Sequence, residues 1–420
     1  MKKGILFALC LVVLGISLLI VYGCGTGGGG GGTPVPPFAA EVWVSTTGSD
    51  EAGDGSFNNP YRTIMKGLSE AGTGETVGIK NGTYTESIVW LPTFEARTLR
   101  GQSRAGTILE PPGGSGRVMF FDCLPPSVIG ATIESLSIKE GTADSSAGAA
   151  IWFSVPAVLN LRDLYFYHNV AGNGGTGGAL YLSGGWIVAE NCDFHWNASQ
   201  MSGGAVFINS GIFEATECIF RGNYNYTYST KGGAIYNENG IMRINKCSFH
   251  DNYGGGQGGA ISSASTGEVV NSLFYNNESE NYSAGAIYST GEAVFSIMNC
   301  TIVSNEAASS AGAAVSVHTG AYVTNSIIWG SNPSGNEIVA STPGNVNYCD
   351  IGNAYGSGSG NISVAPYFNS FPATEDTDLR ITGPAAVSAG GTTIGAPDDD
   401  FEGTLRDEGS HVSIGAFEYH

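Results

Sequence analysis

Residues 177–197 read GGALYLSGGWIVAENCDFHWN, residues 203–223 read GGAVFINSGIFEATECIFRGN, and residues 232–252 read GGAIYNENGIMRINKCSFHDN. The three lines superpose. Each opens on Gly-Gly-Ala-aliphatic and closes on Phe-x-x-Asn. The opening string recurs as Gly258-Gly259-Ala260-Ile261, and in looser form as Gly148-Ala149-Ala150-Ile151, Ala284-Gly285-Ala286-Ile287 and Gly312-Ala313-Ala314-Val315. The closing string recurs at 166–169 and 274–277, and at 302–305 with Ile302 for Phe. The alanines at 150, 179, 205, 234, 260, 286 and 314 are 29, 26, 29, 26, 26 and 28 residues apart. A period in this range marks a solenoid, whose units bury their apolar faces only against their neighbours.

Alternation within the unit reads as strands. Ile151, Leu180, Val206, Ile235, Ile261, Ile287 and Val315 form an aliphatic column that faces inward. The next residue then faces out, giving the column Trp152, Tyr181, Phe207, Tyr236, Ser262, Tyr288 and Ser316. In the second string Cys and Phe face in, and the residue after Phe faces out. The Asn closes the coil, where its side chain can bond backbone and adopt a left-handed conformation, and stacked Asn amides can bond from coil to coil. No helical period appears here. The fold class is all-β, a parallel β-solenoid of roughly ten coils. Ahead of it, Asn59-Pro60 opens a short amphipathic helix over 61–71, a cover for the first coil, which has no neighbour. Strands are expected at 40–46, 76–79 and 87–91.

The chain has 420 residues, 64 of them Gly and 13% charged. A solenoid carries this length as one domain. Lys2 and Lys3 precede an apolar run over 5–22, and Val21-Tyr22-Gly23-Cys24 stands where a lipobox would. The run is also nearly long enough for an uncleaved membrane anchor. The lipoprotein reading makes 1–23 a signal peptide, Cys24 the acylated residue and 24–39 a Gly/Pro-rich tether to a β-helix domain over 40–420. Within that domain 40–92 form an N-terminal cap, 147–332 the repeats and 366–420 a C-terminal cap. Acylation places the chain in the cell envelope, on the outer membrane or cell surface. Without Lys2 and Lys3, 15 basic residues face 37 acidic ones. That balance argues against nucleic acid and anionic membrane surfaces as partners. Cys192, Cys218, Cys247, Cys300 and Cys349 recur two before Phe or Ile, which reads as a column of small buried thiols. No Cys-x-x-Cys pair suggests zinc.

The alternating GGAI and FxxN strings over 147–332 resemble the repeats of the polymorphic outer-membrane proteins. That resemblance implies a right-handed parallel β-helix and an adhesin role. Residues 42–84 resemble the N-terminal cap of secreted pectate-lyase-like β-helix proteins. Residues 400–418 resemble the closing segment of bacterial right-handed β-helix proteins, with Ser413 where Asp is usual. The polymorphic proteins end in a membrane β-barrel, and no such region is read here. The lipid on Cys24 is expected to replace it as anchor.

Four places offer chemistry. The post-Phe column Tyr167, His195, Arg221, His250 and Tyr275, with Asp251 alongside, sets a base beside a cation, as proton abstraction next to a carboxylate needs. His195, Arg221 and His250 are its catalytic candidates. The bland alternative is a solvated polar face. The aromatic column Trp152, Tyr181, Phe207, Tyr236 and Tyr288 offers stacking surfaces to sugar rings, or is plain packing. The loop with Tyr224, Tyr226 and Tyr228 has the composition of adaptable binding surfaces, with Tyr253 and Tyr282 in matching loops. Asp50 and Asp54, and Asp398, Asp399, Asp400, Glu402, Asp407 and Glu408, are oxygen clusters of the kind that hold Ca²⁺, or solvated acidic caps. Asp193, Glu217 and Asp251 lie near the face a glycoside hydrolase would use. No cofactor is expected beyond such Ca²⁺, and no metal motif appears. The expected function is a monomeric surface lipoprotein presenting a binding face to a polysaccharide or a surface protein, adhesin-like and without catalysis. The alternatives are a polysaccharide lyase or glycoside hydrolase, and an envelope scaffold.

Overall fold

The computed structural model describes residues 36–121, 130–144, 147–308, 311–332, 336–353, 355–371, 373–382, 391–394, 396–406 and 412–418. Residues 1–35 lie outside the described residues. The signal segment, Cys24 and most of the tether fall there, as do Cys123, Asp407 and Glu408 farther along.

One turn shows the design. The strand Leu180–Glu190 runs along two sides of the coil, bending at Gly184 and Gly185 (φ 113° and 68°). The strands Asp193–His195 and Ala198–Ser199 complete it. Each piece pairs in parallel with its counterpart one turn on: Leu180 with Val206, Ile187 with Phe213, Phe194 with Phe220, and Ala198 with Tyr224. Three left-handed residues turn the corners, at Gly177, Asn191 and Trp196 (φ 63°, 52° and 51°). At Gly177 a Cβ would fall 2.1 Å from the Leu180 carbonyl oxygen, so glycine is required. At Asn191 and Trp196 the conformation costs about 1–2 kcal/mol, offset by pairing with the turns above and below.

The inward columns are as the repeat implies. The aliphatic residues from Ile151 to Val315 stack in register and are buried. Phe166, Phe194, Phe220, Phe249 and Phe274 stack with centroids 4.6–4.7 Å apart and planes within 4°. Asn169, Asn197, Asn223, Asn252, Asn277 and Asn305 form a buried ladder. Each Nδ2 donates to the next Oδ1 at 2.9–3.1 Å, as far as Asn305. In one respect the expectation fails. The ladder asparagines are not the left-handed residues; the residue before each one is, at His168, Trp196, Gly222, Asp251, Asn276 and Ser304. That residue turns the corner so that the Asn side chain points inward. Cys192, Cys218, Cys247, Cys300 and Cys349 are buried and unbridged. Burial pushes the Cys300 and Cys349 thiols up to about 12.

The last side of the coil is a small sheet of six short strands, extended by bridges at Thr142 and Asn332. The complete coil therefore repeats about eight times rather than ten, because the turns before Thr142 lack that side. The helix Ile64–Glu70, capped by Thr63, is shorter than the sequence suggests. Its Ile64 and Leu68 are buried, and Gly67 lies against Val44 and Val77 of the first turns. Strands stand at Val42–Val44, Thr76–Ile79 and Ile88–Trp90, with an unanticipated one at Gly82–Thr85.

The C-terminal segment runs back along the Cys-x-Phe face. Its Leu379, Ile381, Ile414, Ala416 and Phe417 form a second apolar cluster with Leu273, Tyr275, Val303 and Ile327. Polar ties fasten it: Lys246 to Asp399 at 2.6 Å, Ser248 to Asp376 at 2.6 Å, and Arg406 Nη2 to Asn271 Oδ1 at 2.9 Å. Arg406 also forms a buried 3.0 Å ion pair with Glu418.

Candidate functional site

That returning segment divides the post-Phe face. Lys139, Tyr167, His195, Arg221, His250 and Tyr275 pair successively across the turns, as the repeat implies. From Tyr275 onward the column is covered. Burial and the Asp376 carboxylate push the Tyr275 phenol up. From Lys139 to His250 its residues are half-buried and reach solvent.

The open half holds a connected polar network. Arg221 grips Asp193 with Nη2 at 2.9 Å and Nε at 3.4 Å, and Nη2 also donates to the Tyr165 hydroxyl at 2.9 Å. That hydroxyl lies 3.1 Å from His195 Nδ1. Arg104 approaches Asp193 at 3.9 Å and lies over the Tyr165 ring. Burial pushes the Asp193 carboxyl up, and the charges of Arg221 and Arg104 pull against it. Burial, then the Arg221 charge, lowers His195 to about 4, so its ring is uncharged at neutral pH. His250 stacks on Tyr275 at 4.9 Å, with Nδ1 2.8 Å from Asp251. Asp193 is thus tied up by arginine and Asp251 by histidine.

Beside this network stands a group of aromatic rings. Tyr167 stacks on His168 (4.2 Å) and His168 on Trp196 (5.3 Å). Trp196 is 47% exposed. Glycine at 222 makes room for it: a Cβ there would fall 2.3 Å from the indole. Trp196, His168, Tyr165 and Arg104 were not singled out in the sequence. Trp196 and His168 occupy the second x of Phe-x-x-Asn, a corner position whose side chain projects outward, so reading that column would have found them.

The outward aromatic column has the expected register, but much of it is closed. Phe207, Tyr236 and Tyr288 are 7%, 5% and 8% exposed, while Trp152 and Tyr181 are half-buried. Lys231 lies 5.2 Å above the Tyr236 ring, and His318 meets Tyr288 at 5.7 Å. The tyrosine loop is open: Tyr224, Tyr226 and Tyr228 are 39%, 51% and 66% exposed, and Ser229 bonds Tyr282.

The acidic clusters are engaged with protein groups. Asp50 accepts from the amides of Arg62 and Thr63, Asp400 from those of Glu402, Thr404 and Glu418, and Glu402 pairs with Arg380. Among the described residues no group of three His, Cys, Asp or Glu could hold a metal ion.

Comparison with known proteins agrees with this architecture. Residues 149–328 match the family described as "Right handed beta helix region". No curated protein matches. Among solved structures the chain is similar to pectate lyase Pel9A, with 13% identity, 90% of this chain and 96% of that one covered, and a TM-score of 0.55. It is also similar to XylC in complex with xylose, with 10% identity, 90% and 98% covered, and a TM-score of 0.45. The fold is a right-handed parallel β-helix.

Proposed function

We propose that this chain is a surface lipoprotein that binds a polysaccharide along the open half of the Cys-x-Phe face, without cleaving it. The supporting observation is the Tyr167–His168–Trp196 stack, exposed at Trp196 and half-buried at the other two rings, beside the Arg221–Asp193–Tyr165–His195 network. A sugar ring has one face of C–H groups and a rim of hydroxyls. The aromatic rings suit the first, and the fixed donors and acceptors suit the second. The engagement of Asp193 and Asp251 favours binding over acid–base catalysis.

One observation favours a second reading. His195 is uncharged and one hydrogen bond from Tyr165, which Arg221 contacts in turn. An uncharged base beside a cation is the pairing by which a polysaccharide lyase abstracts a proton and holds the resulting charge. Incubation with pectate and with neutral polysaccharides, with and without Ca²⁺, separates the two. Binding without products, weakened at least tenfold by Trp196→Ala, supports the first. Unsaturated uronate or new reducing ends would overturn it. If such activity survived His195→Ala, His250→Ala and Arg221→Ala, the catalytic column would be wrong as well.

A further inference from the structure

The outward aromatic column remains accessible at its start. Between Trp152 and Tyr181 opens a cleft of about 290 Å³, also lined by Arg117, Ala147, Gly174, Gly175 and Thr176. The two rings meet edge to face, with centroids 6.2 Å apart. Arg117 forms one wall: Nε donates to the Gly148 carbonyl at 2.8 Å and Nη2 to the Ala147 carbonyl at 2.7 Å. Its guanidinium lies 4.8 Å from the Trp152 ring. The 174–176 loop also lines it; Gly174 there is left-handed, with φ 90°, and donates its N–H to Gln200 Oε1. Beyond Tyr181 the column closes over Phe207 and Tyr236.

We propose that this cleft binds the terminal ring of a sugar chain, at a site separate from the face that carries Trp196. Its volume is at the small end of ligand sites, enough for one pyranose and part of a second. Aromatic edges and faces line it for the C–H side of the ring. The Thr176 hydroxyl supplies a polar group for the hydroxyl rim, while Arg117, held on the Ala147 and Gly148 carbonyls, fixes the Trp152 side of the cleft. A long glycan cannot lie along the column, because Phe207 and Tyr236 are covered. The ligand must therefore enter end-on. Occupancy of this cleft is independent of binding at the open face.

The test is titration of the chain with glucose, galactose, xylose, N-acetylglucosamine, glucuronate and cellobiose, followed by tryptophan fluorescence and saturation-transfer NMR. At least one sugar should bind saturably. Its affinity should fall at least tenfold in Thr176→Phe, which fills the cleft from the loop side, and in Trp152→Ala. It should be unchanged in Trp196→Ala. If Trp152→Ala does not fold, as judged by circular dichroism, Thr176→Phe decides. No saturable binding, or binding by Thr176→Phe equal to that of the parent chain, would overturn the proposal. Loss of sugar binding in Trp196→Ala alone would also overturn it, while leaving the open-face reading intact.

Discussion

Asn223 sits mid-ladder, and its side chain satisfies groups in the turns on either side. Oδ1 accepts from the Asn197 amide and Nδ2, and its own Nδ2 donates to the Phe194 carbonyl and Asn252 Oδ1. All are buried, and an orphaned buried polar group costs about 1–3 kcal/mol. Asn223→Ala should therefore destabilise by about 3 kcal/mol or more in urea unfolding, and Phe220→Leu by less, since it removes packing without orphaning a polar group. Asp350 offers a test with opposite sign. It is buried, its Oδ1 accepts from the Val364 amide at 2.9 Å, and its Oδ2 has no partner. Burial raises it to about 6, from 3.8. The folded state holds the proton more tightly than the unfolded state, so this contribution to stability is present below about pH 4 and is lost as pH rises through about 6. Asp350→Asn should raise the melting temperature at pH 8 by roughly 2 °C, with no gain near pH 3.5. An equal gain at both pH values would show that folding does not shift the Asp350 carboxyl.

Among the elements, the C-terminal return decides how much of the Cys-x-Phe face is free. It depends on Arg406, which pairs with Glu418 and donates to Asn271 and to the Gly415 and Ala416 carbonyls. Removing one partner of a buried ion pair costs about 3–5 kcal/mol, because the other charge is left unpaired. Arg406→Ala should loosen the segment and expose the apolar surface of Tyr275, Val303 and Ile327. Limited proteolysis should then cut within 366–418 while the repeats resist. A digestion pattern identical to that of the parent chain would mean that the apolar cluster alone holds the segment. The middle strands show the same economy of charge. Arg162 pairs with Glu190 at 2.9 Å, Arg100 with Glu134 at 3.4 Å, and Arg243 with Glu214, each one turn away. These are surface pairs, exposed at Arg162–Glu190 and part-buried at the glutamates of the other two, worth little individually, that keep like charges from lining up across turns.

At the scale of the whole molecule, the proposed lipid anchor is tested at Cys24. Cys24→Ser should move the chain from the membrane fraction to the soluble fraction and abolish labelling by a fatty-acid probe. Retention of the label would sink the lipoprotein reading. The repeat by itself determined the β-helix, the inward columns, the Asn ladder and both outward columns. Alternation and a period of 26–29 residues leave only one register in which all the apolar positions face inward. Sequence could not show which outward positions reach solvent, because that depends on contacts remote along the chain. Lys231 over Tyr236 and His318 beside Tyr288 help to close one column, and Asp376 on Ser248 anchors the segment that covers half of the other. The Arg221–Asp193–Tyr165–His195 network likewise joins residues of three turns. Periodicity places such residues near one another, but only tertiary packing decides which side chains bond and which stay open.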